Sequence, residues 1–127
     1  MIIIYGINKH LNPIKSQLSS VIHESMKNIL GMPEGKKAHR FIPLNKDDFY
    51  YPDGRSDAYT VIEINMMQGR EVDTKKALIK DLFSNIEKEL KIPPIDIEIT
   101  IKEQPPHCWG FRGLTGDEAN LNYKLDV

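Results

Sequence analysis

The residues able to do chemistry in this chain are few. Arg70 stands directly after Gly69, and the run His107-Cys108-Trp109-Gly110-Phe111-Arg112-Gly113 places an imidazole, a thiol, two aromatics and a cation in a glycine-marked turn. His39-Arg40 adds a second imidazole and guanidinium, and Tyr50, Tyr51 and Arg55 lie in a long polar-aromatic stretch, where loops carry function more often than cores do. His107, with an unperturbed pKa of about 6.5, suits a general acid or base, and suits a solvated turn histidine equally. Cys108 beside it suggests a thiol nucleophile, but neighbours on extended backbone point to opposite faces, so the two should not pair. His10, His23, His39 and His107 show no ligand spacing and Cys108 is the only cysteine, so no metal is expected. There is neither a glycine-rich phosphate loop after a strand nor a nucleophile elbow, and no cofactor is implied. Met1 carries an α-amino group whose ordinary pKa of about 7.7–8.0 leaves roughly a tenth of it neutral at pH 7. Nearby cations and an apolar wall would enlarge that fraction.

These residues are positioned by a regular order of elements. Ile2 to Ile7 is β-branched and reads as a strand. A helix follows, with Asn12 expected as N-cap and Pro13 at the first helical position. Its apolar face is Ile14, Leu18, Val21, Ile22, Met26, Ile29 and Leu30, spaced for a 3.6-residue period, and Gly31 and Pro33 end it. Ala38 to Leu44 reads as a second strand. Asn45 to Asp57 is a connection whose Pro52-Asp53-Gly54 is a turn sequence. Thr60 to Met67 is a third strand, Gly69-Arg70 turns the chain, and Asp73 is expected to cap a helix carrying Leu78, Ile79, Leu82, Phe83, Ile86 and Leu90 on one side. Pro93-Pro94 closes that helix. Ile95 to Lys102 alternates apolar and polar residues, a half-buried strand, and Leu121, Tyr123, Leu125 and Val127 alternate in an expected short final strand.

Length and charge restrict the options further. One domain accounts for all 127 residues. Seventeen Lys+Arg against eighteen Asp+Glu give a net charge of −1, without the basic excess of a dedicated nucleic-acid binder and without a reason for attraction to a membrane surface. No apolar run approaches the ~20 residues of a membrane span. One cysteine cannot form an intrachain disulfide, which makes a reducing compartment, the cytoplasm, the expectation.

The two halves, 1–57 and 58–127, read as one β-α-β unit written twice. A shift of about 61 positions sets Asn12 on Asp73, Leu18 on Ile79, Val21 on Leu82, Ile29 on Leu90 and Pro33 on Pro94. Each unit has parallel strands with its helix crossing one face. Two units side by side predict an α/β (α+β) fold, a four-stranded mixed sheet with two helices on one face. The other face remains half apolar, and oligomerisation would bury it.

On these residues the chain resembles the tautomerase superfamily. Val61-Ile62-Glu63-Ile64-Asn65-Met66-Met67-Gln68-Gly69-Arg70 with Lys75-Lys76 looks like the opening strand and helix of 4-oxalocrotonate tautomerase. Ile99-Thr100-Ile101-Lys102-Glu103 and the His107 to Gly113 run look like its closing strand and glycine-rich aromatic turn. Spanning two units, the chain is closer to the double-length branches, such as macrophage migration inhibitory factor and malonate semialdehyde decarboxylase. The resemblance implies a homotrimer with sites near subunit boundaries, and chemistry by an N-terminal proline amine. Here position 2 is Ile, so the resemblance leaves the Met1 amine in the proline's place.

The resemblance further implies that Arg70 binds a substrate carboxylate and that Trp109 walls the site, with Phe111 and Arg112 in the matching turn. Arg112 would be a second anion contact where the family favours a small residue, and Arg40 a further substrate anchor. The expected function is enol–keto proton transfer on a small 2-oxo acid. The alternatives are a decarboxylase or hydratase of small β-keto or unsaturated acids, and a non-catalytic trimer that binds a ligand or protein.

Overall fold

The computed structural model describes all 127 residues. Strand β1 (Ile2–Ile7) leads through a one-turn helix α1 (Asn8–Leu11) into α2 (Lys15–Leu30) and strand β2 (His39–Leu44). After the long connection come β3 (Thr60–Met67), α3 (Val72–Leu90) and β4 (Ile97–Gln104). The sheet order is β2-β1-β3-β4. β1 runs parallel to β2 and β3 parallel to β4, while β1 and β3 meet antiparallel at the centre with Ile2 opposite Ile64. This is the expected mixed sheet of two β-α-β units.

Strand alternation decides the core. Ile2 and Ile4 of β1 and Ile62, Ile64 and Met66 of β3 face the helices, and there they meet Leu18, Ile22, Met26 and Leu30 of α2 and Leu78, Leu82 and Ile86 of α3 in one cluster. Truncating any of the fully buried leucines to alanine would cost about 2–5 kcal/mol. The alternate residues of the same strands, Ile3, Tyr5, Val61, Glu63 and Asn65, are only half-buried on the opposite, helix-free face. There Glu63 takes a salt bridge from Lys102, so that face is polar as well as apolar.

Helix ends depart from the sequence reading. Asn12 is not the N-cap of α2. It is itself helical (φ −57°, ψ −43°), its backbone N–H donates to Asn8 O, and Ile14 precedes the first residue of α2. Pro13 has no N–H to continue the ladder, which separates the single turn α1 from α2. Asp73 is likewise inside the first turn of α3, after the extended Glu71, where its carboxylate favourably faces the helix dipole. Gly31 does end α2 in the left-handed conformation (φ +69°). The fourth strand begins at Ile97 rather than Ile95, because Pro94–Asp96 form a 3-10 turn.

The C-terminal third differs most. Pro106–Cys108 is a 3-10 turn, so the backbone at His107-Cys108 is not extended as assumed, and both side chains are exposed. A hairpin of β5 (Gly110–Phe111) and β6 (Leu114–Thr115) follows, its two-residue turn formed by Arg112 (φ +55°) and Gly113 (φ +76°). Both central residues at positive φ is the mirror-image turn that matches strand twist. Gly116 seats this hairpin: an added Cβ would lie 2.4 Å from Pro106 O and 3.1 Å from Trp109 Cβ. The final alternating segment forms no strand. It lies against the Gly69 turn instead, with Glu71 N–H donating to Val127 O (2.9 Å) and Leu125 closest to Gly69.

At the start of β2, His39 Nδ1 lies 2.8 Å from Ser19 Oγ, and the His39 ring meets that of buried His23 edge-on at 6.1 Å. Burial first, then His23, Lys37 and the chain's own amino terminus, lower the His39 pKa from 6.5 to about 4. The unfolded chain therefore binds this proton from about pH 6.5 and the folded chain only near pH 4, so the stability lost through His39 accrues as pH falls through that window and grows no further below it. The urea midpoint is expected to drop between pH 7 and about pH 4, and His39→Gln should shrink that drop. An equal drop in the variant would remove His39 as its source.

Candidate functional site

Because β1 and β3 are antiparallel, the start of β1, the start of β2 and the ends of β3 and β4 share one end of the sheet. Met1 is fixed there by a reciprocal pair: its amino group donates to Asn65 O (2.9 Å) and Asn65 N–H donates to Met1 O (2.9 Å). The amino terminus is thus the last rung of the central ladder. Asn65 Nδ2 adds a weaker contact to Met1 O at 3.4 Å.

A cavity of about 420 Å³ opens at this end. Met1, Arg40, Arg70, Trp109, Phe111 and Arg112 all line it, so the amine, three arginines and two aromatics expected at the site are brought together. His107 does not join them. It is exposed in its 3-10 turn and is not among the lining residues. Tyr50, Tyr51 and Arg55 are also elsewhere: the Tyr51 hydroxyl donates to Asp57, and the Arg55 guanidinium donates to Asp53 O.

Arg70 is the best-held side chain of the cavity. Only 7% of it is exposed, Nη1 donates to Met67 O (3.2 Å), and Nη2 lies 3.9 Å from Met32 Sδ. Its guanidinium carbon sits 5.8 Å from the centre of the Tyr123 ring, a cation–π distance. Nε is buried and has no hydrogen-bond partner. Nε with Nη2 is one edge of a planar fork, the edge that a carboxylate takes with two parallel hydrogen bonds. Gly69 lets the C-terminal tail that carries Tyr123 pass close by, since its φ of +144° is glycine territory and a Cβ there would lie 2.9 Å from Leu125 Cβ.

Charge in the cavity is one-sided. Lys36, Arg40, Arg70, Arg112 and the Met1 amine line it, and no aspartate or glutamate does, although the chain as a whole carries a net charge of −1. Burial, then Arg40, then Arg70, pull the Met1 amine below its ordinary pKa of 8.0. Burial also lowers Arg70, which stays a cation at neutral pH. Trp109 is half-buried, held by its Nε1–H on Gln104 O (3.4 Å) and by Gly116 N–H on its own carbonyl (2.8 Å). Arg112 donates to Asn120 O (3.0 Å) and stacks on Phe111 (5.1 Å to the ring centre). The arrangement can hold a small anion against a cation, beside a partly neutral amine and under apolar walls.

Residues 36–112, more than half of the chain, match the family described as Tautomerase enzyme. The chain belongs to that family. It is 28% identical over 100 residues to the probable tautomerase YusQ of Bacillus subtilis (strain 168), covering 75% of this chain and 79% of that protein. Among solved structures it resembles native fused 4-OT (TM-score 0.82, 20% identity, 92% of this chain and 96% of that one). It also resembles malonate semialdehyde decarboxylase (TM-score 0.79, 18% identity, 87% and 89%). A third likeness is to Pt0534 inactivated by 2-oxo-3-pentynoate (TM-score 0.82, 16% identity, 94% and 98%). At these identities the structural likeness is one of fold.

Sequence reasoning missed Tyr123, Lys36 and the methionine wall of this tautomerase-family site. Tyr123 falls in the alternating segment that reads as a strand, and only the path of the C-terminal tail across Gly69 brings it onto Arg70. The methionines are the signal for that wall: Met1, Met26, Met32, Met66 and Met67 are all five in the chain, and all five line the cavity. The lowered amine can be checked directly. The rate at which an acylating reagent labels the Met1 amine should titrate below pH 8.0, and Arg40→Gln should move that midpoint upward by removing a cation. A midpoint at 8.0 that ignores the substitution would show the amine to be freely solvated.

Proposed function

We propose that this tautomerase-family protein moves a proton between carbon and oxygen of a small 2-oxo acid, with the Met1 amine as the base. One observation carries the reading: an amine lowered by burial and a buried arginine with an unpartnered Nε line the same carboxylate-free cavity. Arg70 takes the substrate carboxylate on its free edge. Arg40 and Arg112 supply further positive charge for the enolate oxygen that develops as the α-proton leaves. The neutral amine, one hydrogen tied to Asn65 O, presents its lone pair to that proton and returns it to the other site. Trp109 and Phe111 keep the site apolar, which favours the uncharged amine. His107 has no part in this scheme. The lowered amine also favours proton abstraction over the decarboxylase or hydratase alternative, which needs the amine protonated.

The assembly belongs to the same proposal. Two fused 4-OT structures are described as asymmetric trimers and another as a symmetric trimer. The helix-free sheet face here, with Ile3, Tyr5, Ile42 and Val61 on it, supports a trimer for this chain as well. Light scattering is expected to give three times the 14.6 kDa chain mass, and a monomer would leave that face without its proposed cover.

Activity is tested with a small enol acid followed by ultraviolet absorbance. Arg70→Ala should lower kcat/KM about 100-fold, about 2.7 kcal/mol of transition-state stabilisation. Because Ile2 is buried in the core at 2% exposure, replacing it with proline would damage packing. Inserting proline after Met1 instead lets processing place a proline amine where the Met1 amine stands, and a rise of about tenfold in rate is expected. An intact fold with no turnover in either the parent or the inserted chain favours the non-catalytic binding reading.

A further inference from the structure

All five methionines of the chain line the one cavity that holds Arg70, but they are not equally reachable. Met26, Met66 and Met67 are buried at 8%, 6% and 4% exposure, while Met32 is half-buried and Met1 is 36% exposed. Met32 is also the one whose sulfur contacts the functional cation, at 3.9 Å from Arg70 Nη2. A thioether is a weak acceptor, so this contact yields to any carboxylate that approaches the same edge of the fork.

We propose that Met32 is a redox modification site, whose conversion to the sulfoxide by a peroxide turns the Arg70 site off. The inference rests on the reading of Arg70 as the carboxylate-binding group. In the step, the peroxide's terminal oxygen is transferred to the Met32 sulfur. The sulfur is oxidised by two electrons, the O–O bond breaks, and the peroxide leaves as water, or as an alcohol from an alkyl peroxide. The new S=O is a strong acceptor one bond beyond the sulfur. In one of its two epimers it points at Nη2 and the unpartnered Nε, the donors a carboxylate would use. The sulfoxide thus occupies the fork from within. A dithiol-dependent methionine sulfoxide reductase reverses the change by returning the two electrons.

Gly31 contributes to the exposure of this site. It ends α2 in the left-handed conformation, so Met32 lies just beyond the helix, half-buried at the edge of the core rather than enclosed in it as Met26 and Leu30 are. The cavity walls around it are flexible thioethers, which can admit a molecule as small as hydrogen peroxide.

The experiment uses the Cys108→Ser background, because the exposed thiol would consume oxidant and lies outside the cavity lining. Trp109 is the only tryptophan and lines the cavity, so quenching of its fluorescence reports binding of phenylacetate, an unreactive carboxylate. After millimolar hydrogen peroxide, peptide mass spectrometry should find Met32 sulfoxide, and affinity for phenylacetate should fall about tenfold and return with the reductase. In Met32→Leu, whatever its starting affinity, the same treatment should change it less than twofold. Met32→Gln, with an amide oxygen in place of S=O, should bind phenylacetate about tenfold more weakly without any oxidant. Met32 staying reduced, an unchanged affinity once it is oxidised, an equal fall in Met32→Leu, or normal binding by Met32→Gln would each overturn the proposal. Absence of quenching in the untreated protein would instead overturn the carboxylate reading of Arg70, and this inference with it.

Discussion

The reciprocal hydrogen bonds between Met1 and Asn65 are the constraint on which the site depends. They fix the register of the central antiparallel pair, and a slip of one residue would send every side chain of β1 to the other face. Ile2 and Ile4, buried at 2% and 0%, hold that register from the core side. Packing of two isoleucines and placement of an amine are therefore one geometrical fact. The same pairing brings the beginning of one β-α-β unit to the end of the other, so an amine from residue 1 and a guanidinium from residue 70 can share a cavity.

That cavity concentrates positive charge at a cost, since cations without counter-charges repel one another and the buried one, Arg70, also loses hydration. The structure spreads the cost. Arg70 leans on Met67 O and on the Tyr123 ring, Arg112 on Asn120 O and Phe111, and the amine responds to its cationic neighbours by losing proton affinity. The proposed chemistry uses each of these responses. Arg70 keeps one donor free, the amine is partly neutral, and soft methionine sulfurs make up much of the wall, where a carboxylate would have neutralised the site.

Legibility varied with the range of the interaction that decides each feature. Apolar periodicity located the two long helices and four main strands because burial follows it directly: Leu18, Ile22, Leu82 and Ile86 are all in the core. Helix starts were read from single cap residues, and there Pro13 and the early turn at Glu71 prevailed over Asn12 and Asp73. The 110–115 hairpin is hard to read in the sequence because Arg112-Gly113 is a less familiar pair for its turn than Asn-Gly. His107 is a candidate by residue type alone, and its exposed 3-10 turn keeps it outside the cavity.

By itself the sequence determined the doubled β-α-β pattern, the inward faces of strands and helices, and the identity of the residues with chemical potential. Those depend on local stereochemistry and hydrophobic period, which are written residue by residue. Tertiary structure decided that the Met1 amine, Arg40, Arg70 and Arg112, grouped in the sequence only by resemblance, share one cavity, and it alone decided that the C-terminal tail lays Tyr123 on the guanidinium and that Met32 sulfur rests against it. The reason is physical. Proximity between residues far apart in the chain, and the desolvation that shifts their proton affinities, exist only after the sheet has closed its register.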